Sequence, residues 1–370
     1  MGMKQSDERA DRSQGAIAFV GVRVFDGTRM REGQTVRLDG ERITHAGPAA
    51  GGLSAGAGRV VDGEGRTLMP GFIDAHVHLG LHHPQTVLKG GVTTARDLGW
   101  PARQIFSLRE RLATGSQPGP RLMVAGPMIT APGGYPLRAG WAPPGTAREV
   151  LSAGHAREVV AELAMRGAAV IKVAQEPRQG PLLPLGVLEA VVDGAHGAGL
   201  RVTSHVGSLE ELDVAIEAGV DELAHGLWGN DLIPPATLQR MVERGMVIVP
   251  TLHIDPSPER LRNLGRFLEG GGQVVYGTDM GNAGPPPGID PREIALMVTA
   301  GMTVPQALAS ATSGAADYLG LAGLGRIAVG AVADLILVEG NPAREPAALA
   351  SPVMVVQGGR VVAGNSDVAL

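Results

Sequence analysis

The sequence MPGFIDAHVHLG (residues 69–80) separates two regions of the chain with different hydrophobic patterns. After its Pro-Gly pair, a short apolar run ends in His76 and His78. Successive side chains of a β-strand point to opposite faces, so a strand here would place both imidazoles on one face. Two neutral imidazoles at a strand end supply half of a metal site. The alternative is a chance His-x-His on a surface strand or loop, and the tripeptide alone does not exclude it.

The sequence on either side of this segment predicts an α/β fold. Upstream, short runs rich in Val and Ile are separated by turn pairs such as Asp26-Gly27 and Asp39-Gly40. Downstream, apolar strands alternate with helical patterns. Eight strands are predicted, at Phe72–His78, Val92–Asp97, Arg121–Gly126, Ala168–Ala174, Arg201–His205, Asp221–Ala224, Met246–Thr251 and Gln273–Gly277. This alternation over roughly 250 residues predicts a closed (β/α)8 TIM-like barrel. A doubly wound open sheet is the rival fold, but no Gly-rich dinucleotide fingerprint follows any of these strands.

The β-strand pattern returns near the end of the chain, at residues 333–338, 353–357 and 360–362. Strands at the two chain ends cannot each bury a face alone, so we expect them to pair into one small β-sandwich. The predicted organisation is a disordered tail at 1–14, a composite sandwich of 15–70 and 326–364, and a barrel at 71–325. Before the last strands, Thr303 and Gln306 form a capping-box pattern that predicts a helix to about Tyr318.

Composition excludes several classes of function. The formal net charge of −5 is spread along the chain, so no nucleic acid partner is expected. The absence of cysteine excludes disulfides and thiolate metal sites. No apolar run approaches the roughly 20 residues that span a bilayer, and the polar N-terminus does not resemble a signal peptide. We therefore expect a cytoplasmic protein that acts on a small molecule away from membranes; a homo-oligomer is left open.

The ends of the predicted strands test the metal hypothesis, because active sites of this barrel type lie at the C-terminal ends of the strands. Five of the eight strands deliver a metal-type ligand or a lysine there: His76 and His78, Lys172, His205, His225 and Asp279. Each residue alone is more often structural. Their joint occurrence at one rim predicts a metal centre.

Lys172 lies inside an apolar strand. A buried ammonium is costly unless it is paired, and desolvation favours the neutral amine. A neutral amine reacts with carbon dioxide to form a carbamate, an anion able to bridge two cations. Alternatively, the lysine points to the helix layer or pairs with a carboxylate, and spacing does not decide between these roles.

The order of these motifs resembles the amidohydrolase superfamily, and specifically its imidazolonepropionase-like and prolidase-like branch. The matching segments are PGFIDAHVH (70–78), GVTTARDLG (91–99), VIKV (170–173), AGVDELAHG (218–226), YGTD (276–279) and LGRI (324–327). The match spans about residues 16–362. One departure is that prolidase-like relatives usually read His-Ala-His-Gly at strand 5, where this chain has HVGS (205–208). Recognition of dipeptides is therefore not carried over.

The resemblance implies two divalent cations, held by His76, His78, Lys172, His205, His225 and Asp279. Lys172 would be carboxylated on Nζ and bridge the two ions. Zinc suits these ligands best, with Mn, Fe or Ni as alternatives. The implied function is hydrolysis of an amide or other C–N bond in a small cyclic, N-acyl or peptide-like substrate. A metal-bridging hydroxide would attack the carbonyl, and Asp279 would transfer its proton to the leaving nitrogen.

Two other functions are compatible with parts of the pattern. A single-metal deaminase of the same superfamily keeps the histidines and the aspartate but needs no bridging lysine. A non-catalytic scaffold would keep the barrel without the chemistry. Four residues at the predicted rim are candidate substrate contacts, although loop packing explains each equally well: Tyr135, Arg138, Trp228 and His253.

Overall fold

A computed structural model of the protein describes residues 15–48 and 58–364. The tail predicted at residues 1–14 lies outside these ranges. The first part of the chain forms five strands: β1 (Ile17–Phe25), β2 (Met30–Asp39), β3 (Arg42–Pro48), β4 (Arg59–Asp62) and β5 (Arg66–Pro70). Their frequent Val and Ile residues suit a pleated, half-buried surface.

The middle of the chain alternates strands with helices. In order, these elements are β6 (Phe72–Val77), α1 (Pro84–Lys89), β7 (Val92–Asp97), α2 (Ala102–Ala113), β8 (Arg121–Val124), β9 (Met128–Thr130), β10 (Ala147–Glu149), α3 (Ala153–Met165), β11 (Ile171–Gln175), α4 (Leu185–Gly197), β12 (Val202–Val206), α5 (Leu209–Ala218), β13 (Glu222–Leu223), α6 (Pro235–Glu243), β14 (Val247–Ile248), α7 (Pro258–Glu269), β15 (Gln273–Val274), α8 (Pro291–Thr299), α9 (Val304–Ser310) and α10 (Ser313–Leu319). The last three strands are β16 (Leu335–Glu339), β17 (Met354–Gln357) and β18 (Arg360–Gly364).

Strands from the two chain ends meet in one eight-stranded sheet. Its order is β18-β17-β16-β5-β1-β2-β3, with β4 beside β1. The junction is the antiparallel pair β5–β16, which runs from Arg66 opposite Glu339 to Pro70 opposite Leu335. A separate apolar cluster, which includes Phe19 and Leu337, buries one face of this sheet. The pairing joins segments more than 260 residues apart, because neither end buries its apolar face alone.

The middle strands form two parallel sheets. A three-stranded sheet has the order β6-β7-β8, and a seven-stranded sheet has the order β10-β9-β11-β12-β13-β14-β15. Backbone hydrogen bonds connect the two sheets on both sides. Ala169 donates to the carbonyl of Val124 at 2.8 Å, and Ala75 donates to the carbonyl of Tyr276 at 3.1 Å. Parallel strands joined by helical crossovers confirm the predicted α/β organisation.

The predicted helix after Thr303 starts where expected but is interrupted. Thr303 and Gln306 form the capping box at the start of α9. The helix stops at Ser310, and Thr312 has a non-helical backbone before α10 begins. The carbonyl of Ser310 accepts a hydrogen bond from Tyr276, and that of Ala311 accepts one from Ile73. These carbonyls bind neighbouring strands rather than continuing the helix.

Several buried strands of the two parallel sheets carry polar side chains. Strands β6, β11 and β12 are buried along their whole length, including their polar residues. A polar group inside an apolar core is costly unless it is paired, so each of these side chains requires a partner. Among the described residues, no helix is long and apolar enough to cross a membrane.

Candidate metal centre

His76 and His78 lie at the C-terminal end of β6, with 0% and 3% of their surface exposed. The Nδ1 atom of His76 lies 2.6 Å from the carbonyl oxygen of Ala224, and that of His78 lies 3.1 Å from the carbonyl oxygen of Gly99. A carbonyl oxygen only accepts, so each Nδ1 carries the proton and donates it. The Nε2 atom of each ring is therefore left with a lone pair.

Both of these lone pairs face Asp279. Its Oδ1 lies 3.3 Å from Nε2 of His76 and 3.2 Å from Nε2 of His78. Asp279 has a φ of 58°, in the left-handed region that aspartate tolerates better than most residues. Burial opposes ionisation of this carboxyl, but the neighbouring histidines and Lys172 outweigh it and lower its pKa. The group is an anion enclosed by two imidazoles.

Three acceptor atoms thus converge in a buried space. The ligand atoms of His76, His78 and Asp279 all lie within 4.8 Å of one another. Among the described residues, Nε2 of His76 and Oδ1 of Asp279 have no hydrogen-bond partner. Burial lowers the pKa of His76 well below its usual range, and nearby Lys172 adds to the effect, so this imidazole is neutral. At His78 burial opposes protonation, but the hydrogen bond and the charge of Asp279 outweigh it and raise the pKa of this imidazole. A metal ion would take the place of that proton, so the three ligand atoms fit a cation.

His225 and His205 extend this group from β13 and β12. The ring of His225 lies 4.6 Å from that of His76 and 4.9 Å from that of His205, measured between centroids. Nδ1 of His225 lies 2.8 Å from Oγ1 of Thr251, whose φ of 45° is strained for a β-branched residue. Nε2 of His205 lies 3.1 Å from Oε2 of Glu176. The four imidazoles therefore form a continuous row, and the protein holds one nitrogen of each ring.

Lys172 is buried beside this row on β11, with 1% of its surface exposed. Burial lowers its pKa from 10.5 to about 7, against the opposing attraction of Asp279 and Glu222. Its Nζ has no hydrogen-bond partner within the described ranges. Glu222 is already paired with Arg96, whose Nη2 lies 2.6 Å from Oε1. The lysine therefore has neither the ion pair nor the snorkelled position of a structural lysine, and a large neutral fraction at pH 7 suits carbamate formation.

Aromatic side chains line the same row of histidines. The ring of Tyr135 lies 4.9 Å from that of His205, and the ring of Trp228 lies 5.9 Å from it in a stacked orientation. The ring of Trp141 lies 4.7 Å from that of His78, and its Nε1 donates to the hydroxyl of Tyr135 at 3.2 Å. All three aromatic residues are partly exposed. Two of them, Tyr135 and Trp228, are predicted contacts that the structure brings to the centre.

The other two predicted contacts have different surroundings. Arg138 is exposed on the loop that carries Tyr135. Both ring nitrogens of His253 are engaged, since Nδ1 lies 2.5 Å from Oδ2 of Asp290 and Nε2 lies 3.2 Å from Nη1 of Arg292. In this arrangement His253 has no free ring nitrogen to offer a substrate.

Three residues of the site are absent from the sequence predictions: Trp141, Thr251 and Glu176. Glu176 follows Lys172 by four positions, so the period-2 alternation of a strand would have placed both side chains on one face. Trp141 lies six residues after Tyr135 and is one of three tryptophans in the chain, which was a usable signal. Nothing in the sequence marks Thr251, because its role depends on its backbone angle and on the position of His225.

Comparisons with known proteins identify the family of this chain. A profile of the Amidohydrolase family matches residues 67–362. An uncharacterized protein of Mycobacterium tuberculosis (strain H37Rv) is 32% identical over 345 residues, covering 83% of this chain and 87% of that protein. An uncharacterized protein of Mycobacterium bovis has the same identity and coverage.

Solved structures with the same fold include two hydrolases. A Xaa-Pro dipeptidase with bound methionine has a TM-score of 0.82 at 24% identity, over 94% of this chain and 100% of that one. The ochratoxinase of A. niger has a TM-score of 0.80 at 19% identity, over 95% of this chain and 96% of that one. At these identities the likeness concerns the fold alone. Because the family profile covers most of the sequence, the resemblance inferred from the motifs is confirmed, and the chain belongs to the Amidohydrolase family.

Proposed function

We propose that this protein is a two-cation hydrolase that cleaves an amide or other C–N bond of a small substrate. The observation that carries the proposal is the convergence of Nε2 of His76, Nε2 of His78 and Oδ1 of Asp279 in a buried space. Nε2 of His76 and Oδ1 of Asp279 have no hydrogen-bond partner among the described residues, and a cation between them would satisfy both atoms. Membership of the Amidohydrolase family supports the same conclusion.

A second cation would be held by His205, His225 and the carbamate of Lys172. The neutral state of Lys172 near pH 7 and the absence of a described partner for Nζ support the modification. Burial lowers the pKa of His205 and, more strongly, that of His225, so both are neutral ligands at pH 7. Zinc is the ion that we propose, because it prefers imidazole and carboxylate ligands.

Bound divalent cations acidify water and polarise a carbonyl group, which makes hydrolysis feasible at neutral pH. The side chains of the protein would orient the ligands and the substrate, and one of them would transfer a proton. Asp279 is ionised and lies at the centre of the ligand cluster. Its carboxylate would take the proton of the attacking water and return it to the leaving nitrogen. Hydrogen bonds from Nδ1 of His76 and of His78 to backbone carbonyls keep both rings in place during the reaction.

The aromatic side chains indicate the type of substrate. Tyr135, Trp141 and Trp228 are partly exposed and lie within van der Waals reach of the ligand histidines. We propose that they contact a flat, apolar part of the substrate next to the scissile bond. We also propose Arg138, which is exposed on the loop of Tyr135, as a substrate contact, and His253 only if a substrate displaces Asp290 or Arg292 from its ring.

For the architecture, we propose that the two parallel sheets form a closed (β/α)8 barrel over residues 71–325. The hydrogen bonds from Ala169 to Val124 and from Ala75 to Tyr276 support closure, because they join the sheets on both sides. We propose that residues 15–70 and 326–364 form the accompanying β-sandwich. The shared eight-stranded sheet supports this assignment.

A one-cation deaminase is the second candidate, and one observation favours it. His76, His78 and Asp279 meet within 4.8 Å, whereas the ligand atoms of His205 and His225 do not join that group in the described part of the chain. Only the second ion needs Lys172. The number of bound metal ions therefore separates the two candidates.

The test is metal analysis of the purified protein combined with a hydrolysis screen over acyl amino acids, aryl amides, dipeptides, lactams and cyclic imides. We expect about two equivalents of metal per chain, loss of hydrolysis after chelation, and recovery after zinc is returned. One equivalent together with ammonia release from an aminated ring would favour the deaminase. A protein that binds no added zinc and hydrolyses nothing would overturn both.

A further inference from the structure

Glu176 lies just beyond the end of β11 and contacts a ligand histidine. Only 3% of its surface is exposed, and its Oε2 lies 3.1 Å from Nε2 of His205. Arg178 binds both carboxylate oxygens, with Nε 2.9 Å from Oε1 and Nη2 3.1 Å from Oε2. The backbone N–H of Arg178 adds a third hydrogen bond, to Oε1 at 3.1 Å. The carboxylate is therefore held firmly against the imidazole.

This contact makes His205 different from the other three histidines of the row. In His76 and His78 a backbone carbonyl engages Nδ1, and in His225 the hydroxyl of Thr251 lies at Nδ1. In His205 the protein engages Nε2, and an ionised carboxylate accepts but does not donate. The proton of neutral His205 must then lie on Nε2, which leaves the lone pair on Nδ1.

We infer that Glu176 is a positioning residue that selects the Nε2–H tautomer of His205 and presents Nδ1 to the second cation. The inference rests on the two-cation function proposed above. Carboxylates that accept a hydrogen bond from a ligand histidine fix the orientation of its ring and raise its basicity. Arg178 would in turn keep the carboxylate of Glu176 in place through its hydrogen bonds.

Gly207 is part of the same arrangement. A Cβ atom at this position would lie 2.8 Å from Oε1 of Glu176 and 2.6 Å from Cδ of Pro177. Both distances are too short for a real contact, so any side chain at 207 would displace the carboxylate. Glycine is the residue that this chain has at position 207. The pairing of Glu176 with His205 therefore depends on Gly207.

The test compares E176Q, R178Q and the matched control E149Q by calorimetric titration of metal-depleted full-length protein with zinc. Glutamine keeps the shape of Glu176, but its NH2 group must face His205 or Arg178, both of which donate. We expect two classes of zinc site in the wild type. E176Q should weaken one class by about 10- to 100-fold and leave the other unchanged. Glu149 carries an exposed carboxylate that accepts from the backbone of Gly133, so E149Q should bind zinc as the wild type does.

The outcomes separate this inference from the proposed function. Wild-type affinity of E176Q for both zinc ions would overturn the positioning role. Equal weakening of both classes would also overturn it, because a purely structural defect does not discriminate between the sites. A wild-type protein that binds a single zinc ion would overturn the two-cation function and this inference with it. If E176Q does not fold, R178Q decides, because the Arg178 side chain is 60% exposed and its loss opens no core cavity. R178Q should weaken the same class, and unchanged zinc binding would count against the inference.

Discussion

Replacing Lys172 with methionine should stabilise the metal-depleted protein while it abolishes hydrolysis. Methionine has a similar length and volume but carries no charge to desolvate. Because Nζ donates no hydrogen bond to any described residue, its removal leaves no described acceptor without a partner. The charge at this position serves the chemistry at a cost in stability, as is common for functional residues.

The magnitude follows from the pKa of Lys172, which burial lowers from 10.5 to about 7. At about 1.4 kcal/mol for each pH unit, this shift corresponds to an upper limit of about 5 kcal/mol. Replacing a buried ion pair by apolar residues of similar volume is often neutral or stabilises by about 1–4 kcal/mol, and a buried ammonium without a partner belongs in the stabilising part of that range. We therefore expect K172M to raise the free energy of unfolding by about 3 kcal/mol at pH 7.

The dependence on pH has a defined sign. The folded pKa of Lys172 is lowered, so the unfolded chain binds more protons between pH 7 and 10.5. In the wild-type protein the destabilisation by Lys172 is therefore complete below pH 7, and it decreases by about 1.4 kcal/mol for each unit of pH above 7. The advantage of K172M should shrink as the pH rises from 7 towards 10.

The assay is urea denaturation of metal-depleted wild type and K172M at pH 7 and pH 10, followed by circular dichroism. K89M is the matched control, because Lys89 is exposed at the end of α1. We expect K89M to change stability by less than about 0.5 kcal/mol at either pH. A K172M protein that is no more stable at pH 7, or whose gain is the same at pH 10, would refute the argument. Full hydrolytic activity of K172M would refute the role of Lys172 in holding the second cation.

Three further variants test other parts of the structure. D279N should lower kcat by about 100- to 10,000-fold, because an amide takes up no proton from the attacking water; kinetics on the zinc-loaded protein measure this, and a wild-type rate would contradict it. W228A should raise KM for an aryl amide by about 3- to 10-fold through lost ring contact, while W228F keeps most of the affinity; the same KM for W228A and the wild type would exclude the proposed contact. Asp26 is a control far from the site, where burial opposes ionisation but hydrogen bonds from Arg31, Thr28 and Arg29 lower the pKa to about 2. Because solvent partly screens this carboxylate, D26N should lower the free energy of unfolding by about 1 kcal/mol at pH 6 and by about half of that at pH 3. The stabilisation is present above the unfolded pKa and is lost as the pH falls towards 2, so a cost in urea denaturation that is independent of pH would be inconsistent with this account.

Much of the fold could be predicted because its signals are local. The alternation of apolar strands with helical patterns indicated an α/β arrangement of parallel strands, and turn pairs such as Asp26-Gly27 marked the β-rich chain ends. The capping box of Thr303 and Gln306 located the start of α9. The end of that helix could not be predicted, because the carbonyls of Ser310 and Ala311 bind distant strands.

The identity of the candidate ligands could also be predicted from the sequence. Strand periodicity places His76 and His78 on one face, and parallel strands bring their C-terminal ends to one rim. Those two regularities were enough to select Lys172, His205, His225 and Asp279 as candidates. They predict where each side chain lies, but not its protonation state.

Tertiary structure alone decided the chemical state of these groups. The tautomer of His76 depends on a carbonyl 148 residues away, and that of His205 depends on Glu176. The lowered pKa of Lys172 depends on complete burial by other strands. Hydrogen bonding and desolvation act over a few ångströms in space, whatever the separation along the chain. For this reason the sequence was enough to select the six candidate ligands, whereas only the folded chain determined their partners, such as Thr251 and Glu176, and which ring nitrogen carries a proton.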